Sequence, residues 1–141
     1  MLKTTNRYSV IRALQQRMQV AKATLVSDES LDIPIYYDNV IQGAPPDQST
    51  FIRFTINFDA DAERATTDAN RQAGIAIAQV STPLGRGTNE SALITDVIES
   101  IFKSNTWPDN VLETKYTALF NVGPDGSYYT MNVNIYFEYY K

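Results

Sequence analysis

Residues Ile75 to Phe102, IAIAQVSTPLGRGTNESALITDVIESIF, read as a strand, a tight glycine loop and an amphipathic helix, and the rest of the chain has to be placed against that unit. In the strand half, Gly74, Ala76, Ala78 and Val80 alternate with Ala73, Ile75, Ile77 and Gln79. Neither face carries charge, which predicts a central strand. One face consists of very small side chains, so a helix or a neighbouring subunit can approach its backbone closely. After Pro83 the loop Leu84-Gly85-Arg86-Gly87 breaks the strand, and Thr88 or Asn89 can cap a new helix with Glu90 in its electropositive first turn. Leu93, Ile94, Val97, Ile98, Ile101 and Phe102 form that helix's apolar half at 100° per residue. Thr95, Asp96, Glu99 and Lys103 take the other side, with Glu99 and Lys103 spaced to pair.

The flanking segments supply the other layers. From about Asn6 to Leu25, Ile11, Leu14, Met18, Ala21 and Leu25 recur at spacings of three and four, one face of a helix that Thr4, Thr5 or Asn6 can cap. Arg7, Arg17 and Lys22 flank the stripe, placed to snorkel or to meet an acidic partner, and Arg12 points away. Ser27 to Ser30 is a polar break before Leu31 to Asn39, where Pro34 marks an edge strand. Gln42 to Ser49 is a glycine-proline loop. In Thr50 to Phe58, Ile52, Phe54, Ile56 and Phe58 point to the core, and Phe51, Arg53, Thr55 and Asn57 point away.

Two long alternating segments, Val111 to Val122 and Ser127 to Tyr140, follow the connector Lys103 to Asn110, in which Trp107 is placed to cap the core. Gly123-Pro124-Asp125-Gly126 between them is a turn signal, predicting a terminal hairpin. Its last strand turns Tyr129, Met131, Val133, Ile135 and Phe137 inward. Tyr128, Thr130, Asn132, Asn134, Tyr136, Glu138 and Tyr140 face outward with one charge among them. Tyrosine is favoured where proteins meet and charge is favoured where a strand faces water, so this face reads as a subunit or partner interface. It offers no Lys or Arg for phosphates, against base stacking on single strands.

At 141 residues, 43% hydrophobic and 20% charged, the chain fits one domain spanning residues 1–141. The expected fold is α+β with two layers: a mainly antiparallel sheet of about four or five strands under two principal helices. No apolar run approaches the roughly 20 residues that span a bilayer, and the first residues lack the apolar core of a signal peptide, so a soluble product made in the cytoplasm is expected.

There is no Cys and no His. That removes disulfides, thiolate or imidazole metal sites, Cys nucleophiles and the imidazole base of a catalytic triad. Gly85-Arg86-Gly87 lacks both the three-glycine dinucleotide fingerprint and the Gly-Lys-Ser/Thr phosphate loop, and no Ser stands in a Gly-x-Ser-x-Gly elbow. Asp96 and Glu99 lie on the solvated side of a helix, where carboxylate pKa values are not raised. Asp59 to Arg71 exceeds an ordinary hairpin connection, and its Asp59, Asp61, Glu63 spacing has the beginning of a calcium loop, but Arg64 stands where that loop needs Gly. An arm reaching a partner through Asp61 and Glu63 is the other reading. The expectation is a protein that is not an enzyme, with no cofactor, metal or catalytic residue.

Net charge is −4, yet residues 1–27 hold five basic residues and no acid, leaving 7 basic against 16 acidic in the remainder. An acidic body disfavours tight nucleic-acid binding.

The order of parts, with Ile35 to Asn39 after the first helix, Val80 to Asn89 around the glycine turn and Gly123 to Phe137 in the hairpin, resembles the tail terminator family of long-tailed bacteriophages, similar to the U protein of lambdoid tails. The resemblance implies a homo-oligomeric ring, six-membered, at the head-proximal end of the virion tail, assembled in the host cytoplasm. Such a ring caps the tail tube, stops its polymerisation and joins a head-side connector or neck protein, while DNA crosses its channel without specific binding. No membrane is implied. Arg53, Arg86, Tyr128 and Tyr136, with Asp61 and Glu63 on the arm, are the candidate interface residues. Another virion protein, a head-closure or tail-tube subunit, is the alternative; a small ligand-binding or enzymatic domain using carboxylates and tyrosines is a third.

Overall fold

The computed structural model describes residues 2–38, 48–59, 71–85 and 88–141. Helix α1 (Arg7–Glu29) precedes strands β1 (Ile35–Tyr37), β2 (Phe51–Phe58) and β3 (Arg71–Pro83), then helix α2 (Asn89–Lys103), a short 3-10 turn at Pro108–Asn110, and strands β4 (Glu113–Asp125) and β5 (Tyr128–Tyr140). The sheet order is β1-β2-β3-β5-β4, antiparallel except for the β1–β2 pair. This is the α+β architecture expected, with β3 in the middle.

Helices α1 and α2 pack against each other and share one core with the sheet. Gly74, Ala76, Ala78 and Val80 are the inward row of β3 and are buried. At Gly74 the approach is closest: a Cβ there would meet the Phe137 ring at 2.5 Å and the Asn57 carbonyl at 2.6 Å. The small-residue face of the central strand therefore accommodates an aromatic ring of β5.

Asn6 caps α1 by accepting a hydrogen bond from the Ser9 N–H at 2.9 Å. The buried row is Val10, Leu14, Met18, Ala21 and Leu25, so Val10 replaces the expected Ile11, which lies at the edge of the stripe. The helix also runs through Ser27 to Glu29 and closes at Ser30, whose left-handed backbone lets chain N–H groups return to the Leu25 carbonyl.

Helix α2 is rotated relative to the expected wheel. Ser91, Ile94, Thr95, Ile98 and Phe102 are buried, while Leu93 is exposed. Burying Thr95 costs little because its hydroxyl donates to the Ser91 and Ala92 carbonyls of its own helix. Thr88 occupies the N-cap without a side-chain bond, and Glu90 instead accepts from the Thr50 hydroxyl. Glu99 and Lys103 pair at 3.5 Å as their spacing predicts.

Two boundaries differ from expectation. Arg71 begins β3 instead of ending a loop. The hairpin turn is the two-residue Gly126-Ser127, with Asp125 paired to Tyr128, so Gly123 and Pro124 belong to β4 beside a bulge after Asn121. Pro124 is tolerated because β4 is an edge strand. Trp107 is buried under α1 as expected and donates to the Thr114 hydroxyl at 3.0 Å.

Candidate interaction surface

Both helices lie on one side of the sheet, leaving the other side without a covering layer among the described residues. Strand register defines that open face row by row. Asn57, Ile75, Tyr136 and Tyr116 lie in one row; Thr55, Ile77, Asn134 and Ala118 in the next; Arg53, Gln79, Asn132 and Phe120 in the third. Arg53 is the one charge in these three rows, and Arg71, Glu113 and Glu138 lie together at the opposite end of the face.

Each end is closed by aromatic contacts. At one, Tyr36, Phe51 and Tyr128 meet edge to face at 5.9 and 5.2 Å over the buried Ser81 and Thr130 hydroxyls. At the other, Tyr116 stacks on Tyr136 with centroids 4.2 Å apart, beside a groove of about 430 Å³ that reaches Asp59, Ile75, Lys115 and Glu138. Below it Arg71 donates to Glu138 and Glu113, each at 2.9 Å, and to the Tyr140 hydroxyl at 3.0 Å. The hydrogen bond to Glu138 raises the Arg71 pKa further above its already high ordinary value. Lys115 lies 3.5 Å from Glu138 and completes an ion network that locks the start of β3 to the start of β4 and the end of β5.

Between these ends the side-chain Oδ1 atoms of Asn132 and Asn134 are buried and have no hydrogen-bond donor in the described chain. A buried acceptor left unpaired costs about 1–3 kcal/mol.

Of the residues singled out from sequence, Arg53 and Tyr136 share the open face, and Tyr128 lies at its rim, held by Phe51. Arg86, Asp61 and Glu63 fall outside the described residues, as does the arm between 60 and 70. The basic flank of α1 is used internally. Arg17 lies over Trp107, Arg7 sits 5.6 Å from the Phe58 ring, and Lys22 pairs with Asp32 at 3.2 Å. All three flanking cations are therefore engaged within the chain, and Arg12, on the other side of the helix, donates to the Tyr8 hydroxyl at 3.5 Å. Sequence reasoning placed β4 as the alternating segment Val111 to Val122 but did not mark it as an exposed edge, for which the exposed Tyr116 and Phe120 are the signal.

No protein-family model and no curated protein matches the chain. Twelve chains of solved structures match; one of them superposes with a TM-score of 0.75 over 97% of both chains at 15% identity. Likeness at that identity shows a shared fold and nothing about activity. No helix among the described residues is long and apolar enough to cross a membrane.

Proposed function

We propose that this protein is a bacteriophage tail terminator: a ring-forming subunit that caps the tail tube, stops its polymerisation and presents a surface to the head-side connector. The observation that carries the reading is the open sheet face, whose three middle rows carry Arg53 as their one charge and hold two buried asparagine carbonyls without donors among the described residues. A face that stays in water is normally rich in Lys and Glu, whereas protein contacts favour aromatic residues and shed Lys and acid. The element order that resembles the terminator family supports the same assignment. Ring closure by one chain needs two different, complementary patches, and the open face provides one of them. The acidic body suits a channel that DNA crosses without being held.

On this reading the partners are further copies of the chain, the tail-tube protein and the neck, with the virion tail as the final location. The test is negative-stain microscopy of the purified protein with tail tubes, followed by head–tail joining in vitro. Annular particles at tube ends, lost when Arg53→Glu and Asn134→Lys are combined, are expected. Intact joining by that double variant, or growth of the pure protein into long tubes, would count against the assignment, the latter in favour of a tube subunit.

A further inference from the structure

The sheet's two flanks are built differently. On the β1 flank the edge strand has three residues, follows Pro34, and is followed by Asp38, whose carboxylate accepts from the Ile56 N–H and the Thr55 hydroxyl, both at 3.2 Å. Those contacts occupy the β2 backbone just beyond β1's last paired residue. On the β4 flank the edge strand has 13 residues, and from Lys115 onward no backbone bond reaches it from outside the β4–β5 ladder among the described residues. Asn105 covers only the Thr114 N–H, at 2.7 Å.

Edge strands normally carry Lys, short length or inward charge to discourage pairing. Between Tyr116 and Val122, YTALFNV, β4 carries no charge at all. Leu119 is 45% exposed on the helix side, and Phe120 and Tyr116, 50% and 59% exposed, are on the open face. Apolar residues on both faces are the pattern of an interior strand.

We infer that β4 pairs antiparallel with β4 of a second copy, about a twofold axis through Leu119, to make one continuous ten-stranded sheet. The strand's own sequence selects that occupant. With Leu119 opposite Leu119, Ala118 falls opposite Phe120 and Thr117 opposite Asn121. On the open face Phe120 then meets Ala118, the polar Thr117 and Asn121 face each other, and no charged residue lies in the paired run 117–121. The paired run lies inside the regular stretch bounded by the bulges near Lys115 and Val122. Such a contact is isologous and cannot close a ring. It therefore concerns chains outside the ring circuit and stands or falls apart from the terminator assignment.

The chain has no cysteine, so a single introduced one reports the axis directly. Directly opposed strand residues lie about 4.5–5.5 Å apart at Cα, within disulfide range. Under mild oxidation Leu119→Cys should form a covalent dimer roughly tenfold faster than Leu93→Cys, an exposed site on α2, because pairing raises the effective concentration. Adding Phe120→Lys, or Ala118→Lys where the first variant folds poorly by circular dichroism, should return the rate to that of Leu93→Cys. Equal rates at the two cysteine sites overturn the proposal, as does a Leu119→Cys rate that neither lysine lowers. Annular particles forming while Leu119→Cys forms no disulfide-linked dimer under oxidation would end it and leave the ring reading intact.

Discussion

The Arg17 guanidinium lies 3.5 Å from the centroid of the Trp107 ring while donating to the main-chain carbonyls of Ser104 and Thr106. One side chain of the first helix thus holds the connector that delivers β4 to the sheet. Burial lowers the Arg17 pKa from its ordinary value.

Arg17→Met keeps the aliphatic stem and removes both the fork and the cation. Charged hydrogen bonds and cation–π contacts in such settings contribute about 2 kcal/mol, discounted for partial exposure. The expected result is a fall of that size in unfolding free energy by urea titration. Arg17→Lys should recover less than half, since an ammonium cannot serve two carbonyls and a ring in one plane.

Much of this was legible in the sequence. Strict alternation in Phe51 to Phe58, Val111 to Val122 and Ser127 to Tyr140, the strand-loop-helix pattern of Ile75 to Phe102, the proline-marked edge segment Leu31 to Asn39 and the apolar period of the first helix predict the main elements. What was lost turned on choices that local pattern does not settle. Val10 and Ile11 are both apolar, and only the seating of α1 on the sheet decides which is buried. Thr95 was placed outside because a hydroxyl looks polar, although its own helix satisfies it. Arg17 looked like a flanking charge because the ring it covers is distant in sequence. The outward face of β5 was legible, but its rows across four strands required the register.

Gly74 should tolerate no side chain. Gly74→Ala places a methyl against the Phe137 ring and the Asn57 carbonyl, and overpacking of this kind costs about 1–3 kcal/mol. Phe137→Leu in the same chain should restore only part of the loss, because the carbonyl contact is backbone. Thermal unfolding of the two singles and the double variant measures the coupling.

Trp107 and Thr114 form a buried pair. Thr114→Val leaves the indole N–H without its acceptor and should cost about 1–3 kcal/mol, whereas Thr114→Ser should stay close to the parent. Denaturant midpoints and the Trp107 fluorescence maximum report both.

Tyr37 supplies a pH signature. Burial raises its phenol pKa above the ordinary 10.0, opposed by the hydrogen bond from Gln19. The folded state thus holds the proton more tightly than the unfolded chain does. Its contribution is complete below about pH 10 and is lost as pH rises through the folded value. Stability should fall above about pH 10, and Tyr37→Phe should flatten that limb without affecting the acid side.

The Asp38 carboxylate on the Ile56 N–H has a consequence for what crowded copies can become. A sheet open on both flanks would accept strand after strand and run on into a fibril. Here the β1 flank offers an edge of only three residues, with the acid held on β2 just past it, so a pair joined at β4 presents no second long edge among the described residues and growth is arrested there.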